Sequence, residues 1–216
     1  MVDAVERLIS TVAAKQFGHI TRTQLLTIGL GARAIEHRVR AGQLIPVHAG
    51  VYAVGYINRT PVACAAAAVL ACGQGAALSH GSAATLWGFN KYWDMPYEVT
   101  VATSHRRREG IKVHRSRTLA RCDVTRQLGI RVTSPARTML DHVPRLTEKR
   151  LSRVVKDGLR GPYLHRDDLV DVVRRNPTHP GHKRLLRFVE DPSTTPTATA
   201  SSAIGIGTRT CSQPIT

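Results

Sequence analysis

The stretch from His19 to Val54, HITRTQLLTIGLGARAIEHRVRAGQLIPVHAGVYAV, constrains the fold of this chain more than any other. It reads as a helix, a tight turn, a second helix and a short β-hairpin. That order matches a helix-turn-helix followed by a two-stranded wing, a common way of placing a helix in the major groove of DNA. The second helix, over 32–41, sets Ile35 and Val39 on one side at i, i+4. Arg33, His37 and Arg40 fall at i, i+4, i+7 on the opposite side. One face can dock on a core, and the other offers two guanidiniums and an imidazole to a phosphate or a base edge.

The flanking residues fit the same pattern. Thr21 can cap the first of these helices, and Gln24 three residues on completes a capping box. Leu25, Leu26 and Ile28 are the expected buried side. Gly29 and Gly31, around Leu30, predict a turn that visits positive φ. Gly42 follows Ala41 where a helix ends most readily in a left-handed residue. Pro46 predicts an edge strand, and His48-Ala49-Gly50 a hairpin turn. Upstream, Val5, Leu8, Ile9 and Val12 mark a further helix.

Charge points to a polyanionic partner. The 216 residues hold 31 Lys and Arg against 15 Asp and Glu, a formal net charge of +16. Nucleic acid is the usual target of such an imbalance. No apolar run is long enough to span a bilayer, and the N-terminus does not read as a signal peptide. The cysteines, Cys64, Cys72, Cys122 and Cys211, have no CxxC spacing and read as small buried residues in a reducing compartment. A cytoplasmic protein is expected.

Downstream, an alanine-rich helix runs from Pro61 to about Cys72 and is apolar nearly all round, which predicts burial. LSHGSAATLWGF (78–89) opens with Ser79 or Ser82 as a cap and buries Ala83, Leu86 and Trp87. Tyr97–Val101 alternates as a strand, with Ile111–Arg115 its partner. Between them SHRRREG reads as a hairpin tip carrying Arg106, Arg107 and Arg108. Ile130–Thr133 is another strand. In TSPARTMLD, Ser134 caps a helix with Pro135 in its first turn and Met139 and Leu140 buried. Helices follow over 146–159, 167–175 and 182–189. From residue 191 onward Pro, Thr, Ser, Ala and Gly dominate, predicting a disordered tail.

Catalytic chemistry finds little support. Ser79 and His80 are adjacent, and neighbours on a helix or strand point apart, so the pair is not expected to form an activated serine. Glu98, Glu109 and Lys112 resemble the carboxylates and lysine of a metal-dependent nuclease, but the acidic half is thin. His179 and His182 lack a third metal ligand. No catalytic residue, metal or cofactor is assigned.

In order, a helix-turn-helix, GVYAV (50–54), LSHGSAATLWGF (78–89), EVTV (98–101), IKVHRS (111–116) and VTSPARTMLD (132–141) together resemble the AbiEi-type antitoxin and transcriptional-regulator family of bacteria, over about 15–190. The resemblance implies an α+β fold: an N-terminal winged helix-turn-helix, then a mixed domain with a small sheet and C-terminal helices. It implies an autorepressor of a toxin–antitoxin operon, paired in function, without a stable complex, with a nucleotidyltransferase-like toxin. Many relatives carry a further nuclease-like domain. Nothing after Pro192 resembles it, and the tail reads as a truncated or frameshifted end. Relatives often have a basic residue where Ala49 and Gly81 stand here.

The expected domains are 1–58, a DNA-binding winged helix-turn-helix; 59–190, α+β; and the tail, 191–216. The expected partner is double-stranded DNA. Arg33, His37 and Arg40 would face the major groove. Thr21, Arg22 and Thr23 at a helix N-terminus, Arg38, His48 and the Arg106, Arg107, Arg108 run would add contacts. Two rival readings are a nuclease-related protein whose winged helix positions its substrate, and a basic module that binds an acidic protein.

Overall fold

The computed structural model describes residues 2–102 and 107–190. Arg106 and the expected disordered tail, 191–216, lie outside the described residues. The fold is a mixture of helices and two small sheets.

The N-terminal unit contains α1 (Val2–Ala14), β1 (His19–Thr21), α2 (Arg22–Thr27), α3 (Ala32–Arg40), β2 (Leu44–His48) and β3 (Val51–Val54). The capping box forms as the sequence predicts. The Thr21 hydroxyl accepts from the Gln24 N–H at 3.1 Å, and the Gln24 side chain accepts from the Thr21 N–H at 2.9 Å. Ile9, Ile20, Leu25, Leu30, Ile35 and Leu44 fill the core between helices and sheet. β3 pairs with both β1 and β2, so β1 is a third strand that the sequence reading missed. Three residues are too few to carry a visible alternation. β2 lies at the edge, as Pro46 requires.

Two local expectations need correction. Leu26 is exposed, because six-residue α2 has room for only one fully buried side chain, Leu25. Gly31 is extended at φ −69 as the N-cap of α3, and Gly29 alone makes the left-handed turn, at φ 102.

The second sheet has the order β6-β5-β4-β8-β7, from β4 (Ala77–Leu78), β5 (Tyr97–Val101), β6 (Ile111–Arg115), β7 (Val124–Gln127) and β8 (Ile130–Thr133). β5 and β6 are parallel, with Tyr97 opposite Ile111 and Val101 opposite Arg115. The arginine run is therefore no hairpin tip, because parallel strands cannot be joined by a tight hairpin. Strand periodicity carries no direction, so the sequence could not distinguish the two pairings.

Helix α4 (Pro61–Ala71) explains its own composition. Seven of its residues are buried: Ala63, Ala65, Ala66, Ala67, Ala68, Val69 and Ala71. It touches β1, β2 and β3 on one side and β4, β5 and β8 on the other. A helix between two sheets has no solvent face, and alanine lets both approach closely. Cys72 at its end is buried, whereas Cys122 is exposed, contrary to expectation.

Trp87, just past α5 (His80–Leu86), donates its indole N–H to the Thr133 carbonyl at 2.9 Å, and Leu86 is only half-buried. α6 (Pro135–His142) is capped by the Ser134 hydroxyl, which accepts from the Arg137 N–H. α6 packs with α7 (Glu148–Arg160), α8 (Arg166–Arg175) and α9 (His182–Glu190) around Met139, Leu140, Leu151, Leu169 and Leu185.

Candidate nucleic-acid interface

Helix α3 divides as its spacing predicts. Ile35 is buried and Val39 packs partly into the same core. Arg33, His37 and Arg40 are exposed on the other side. Arg38 is committed elsewhere: its guanidinium bonds the Glu6 carboxylate at 2.5 Å and ties α3 to α1. Its expected reach to phosphate is therefore replaced by an internal ion pair.

An open groove lies between α3 and the β2–β3 hairpin. Arg22 and Arg40 stand on its walls with His48, Ala49 and the carboxylate of Glu36. Burial, then the nearby Arg108 guanidinium, pushes the His48 pKa below its ordinary value. His48 is thus available as a neutral hydrogen-bonding ring. Arg108 donates to the Ala49 carbonyl at 3.3 Å, bringing the end of the arginine run against the hairpin turn. Arg107 is exposed beside it. At the start of α2, the Thr21 hydroxyl is used by the cap, whereas Thr23 is exposed and Arg22 half-exposed.

Sequence reading missed a second basic surface. Arg126 on β7 stands directly opposite Arg131 on β8. Both residues flank the tight turn at Leu128-Gly129, where φ is 50 and 79. The signal was present in RQLGIR: two residues placed symmetrically about a two-residue turn must face each other across it. β7 itself went unseen, so the pair did too.

The expectation that the Ser79 and His80 side chains point apart is overturned. His80 Nδ1 lies 3.0 Å from Ser79 Oγ. His80 takes φ 51, which folds its ring back over the preceding side chain in a way no regular helix or strand allows. Ser79 is nevertheless fully buried, and its oxygen also accepts from Thr100 at 2.8 Å. The His80 ring stacks on His114 with centroids 3.7 Å apart, and burial pushes its pKa down to about 4.

Glu98 is the polar centre of this region. Its carboxylate meets His114 at 3.0 Å, the Gly81 N–H at 2.8 Å, the Arg145 guanidinium and, at 3.8 Å, Lys112 on the neighbouring strand. Burial raises its pKa, but the bonds from His114 and Arg145 outweigh burial and hold it well below the usual carboxylate range. Among the described residues, no three His, Cys, Asp or Glu side chains gather as metal ligands. His179 meets Asp141 at 3.2 Å, and His182 faces the Val173 carbonyl.

Residues 7–55, which span the exposed face of α3 and the hairpin, match the model of the AbiEi antitoxin transcriptional-regulator family. No curated protein matches the chain. The fold is similar to that of the RV2827C protein from Mycobacterium tuberculosis, at a TM-score of 0.51 and 18% identity, over 89% of this chain and 79% of that one. Among the described residues, no helix is long and apolar enough to cross a membrane.

Proposed function

We propose that this chain, whose residues 7–55 carry the AbiEi regulator pattern, is a sequence-specific double-stranded-DNA-binding protein and a transcriptional autorepressor of the antitoxin class. In this reading 1–58 is a winged helix-turn-helix and 59–190 an accessory α+β domain. The observation that carries it is the joint exposure of Arg33, His37 and Arg40 on α3, beside a hairpin with a basic groove between them. Arg33 and Arg40 are seven residues apart, a rise of about 10 Å along a helix. That span fits within one major groove, about 12 Å wide. Arg22, Thr23, His48 and Arg107 then meet phosphates and fix the register.

An autorepressor of this kind works by occupying its own promoter, and it needs no catalytic residue or cofactor. Its toxin partner, of nucleotidyltransferase-like type, is countered without a stable complex. The cytoplasm is the compartment where it acts. The test is selection from a randomised duplex library. The wild type is expected to enrich one motif, and Arg33→Ala and Arg40→Ala each to relax it at one position. Enrichment of no motif by the wild type overturns the reading.

A further inference from the structure

The cleft between the N-terminal unit and the β7–β8 hairpin holds a second, unexplained concentration of positive charge. Lys15, Arg22, Arg121, Arg126 and Arg131 line it, and among the described residues no carboxylate does. The hairpin is held in place at its turn. A Cβ on Gly129 would lie 3.3 Å from the Lys15 carbonyl, so the turn abuts the end of α1.

The hairpin itself is electrostatically frustrated. Like charges directly opposite each other on neighbouring strands destabilise a sheet. Arg126 and Arg131 occupy such a pair. Arg126 donates to the Gly129 carbonyl at 2.8 Å, a neutral acceptor that leaves its charge uncompensated. The buried Arg131 Nε has no hydrogen-bond partner. Two guanidiniums opposite each other on one hairpin, lining a cleft with no carboxylate among its described residues, form a site that an external anion would complete.

Position identifies the anion. The cleft and the groove between α3 and the hairpin share Arg22, Ala49 and Gly50. A strand leaving α3 past the hairpin turn would pass Glu36 in the groove and then enter a cleft that no described carboxylate lines. We infer that the Arg126–Arg131 pair is a second phosphodiester-binding site, which grips the DNA backbone beyond the segment read by α3. The inference rests on the DNA-binding reading above. It adds a contact made by the second sheet that reads no bases.

The test measures affinity of the full chain for a mixed-sequence duplex at several salt concentrations. Removing one phosphate contact lowers the slope of log affinity against log salt by about one. Arg126→Ala and Arg131→Ala are each expected to lower it by about one, and the double variant by about two. Arg131→Lys should keep the slope, since it keeps the charge. The motif selected from a random library should be the same as for the wild type. Without DNA, Arg126→Ala should melt no lower than the wild type, because it relieves repulsion; a purely structural arginine would lower the melting temperature. Unchanged slopes in both alanine variants, with the wild type still binding duplex, overturn the inference alone. A wild type that binds no duplex at low salt instead overturns the DNA-binding reading.

Discussion

Arg137 is only 2% exposed and sits between two carboxylates that are themselves buried. Its Nη1 lies 3.2 Å from Asp123 and its Nε 2.9 Å from Asp141, with Asn176 and Ser116 completing its donors. Removing one member of a buried ion network costs about 3–5 kcal/mol, chiefly through the charges left behind. Asp123 keeps Arg175 at 2.8 Å, and Asp141 keeps His179. Arg137→Met is therefore expected at the low end, about 3 kcal/mol, as a fall in the urea midpoint. A second residue-scale effect is acid sensitivity. Burial pushes His80 and His142 from 6.5 down to about 4. The unfolded chain thus takes up these protons first, so the stability from both neutral rings is whole above pH 6.5 and drains away between 6.5 and 4. The melting temperature should fall across that window, and less steeply in His142→Gln. A flat profile would contradict the burial of both rings.

At the scale of elements, α4 has the least freedom. Ala65 and Ala68 are fully buried, with a sheet on either side of the helix. Inserting methylenes into such packing costs about 1–3 kcal/mol. Ala68→Leu is expected to destabilise by that amount in denaturant titration, against almost nothing for Arg33→Ala on the exposed face of α3. Legibility in the sequence followed the same division. The capping box at Thr21, the two faces of α3, the all-round burial of α4 and the Ser134 cap were readable because each depends on residues within a turn or two. What escaped depends on distant partners. β4 has only two residues and is recognised by its neighbours, Leu78 lying opposite Val99 and Val132. The parallel pairing of β5 and β6 left no mark in their alternation. Arg38 looked free until α1 supplied Glu6, 32 positions away. Of the candidate site, the α3 face was visible in one helix, whereas the Arg126–Arg131 pair became visible only once the two-residue turn in RQLGIR, and with it the edge strand β7, was recognised.

For the whole molecule, charge sets the largest expected effect. A protein that neutralises six to ten phosphates loses about 10³–10⁵ in DNA affinity between 50 and 200 mM salt. With a net charge of +16 and basic surfaces on α3 and on the second sheet, a loss in that range is expected by fluorescence anisotropy. Salt-independent binding would mean that charge is not what holds the DNA.

The alanine helix between the two sheets also acts as a ruler. A layer of methyl groups has a fixed thickness, so it sets the spacing of the two sheets that the helix touches. On the proposed reading, with α3 contacting bases and Arg126 and Arg131 the backbone, a bulkier side chain there would lengthen the step between them, and a protected footprint on DNA would record the change in base pairs. Conserving small side chains on such a helix would then preserve a distance as well as a core.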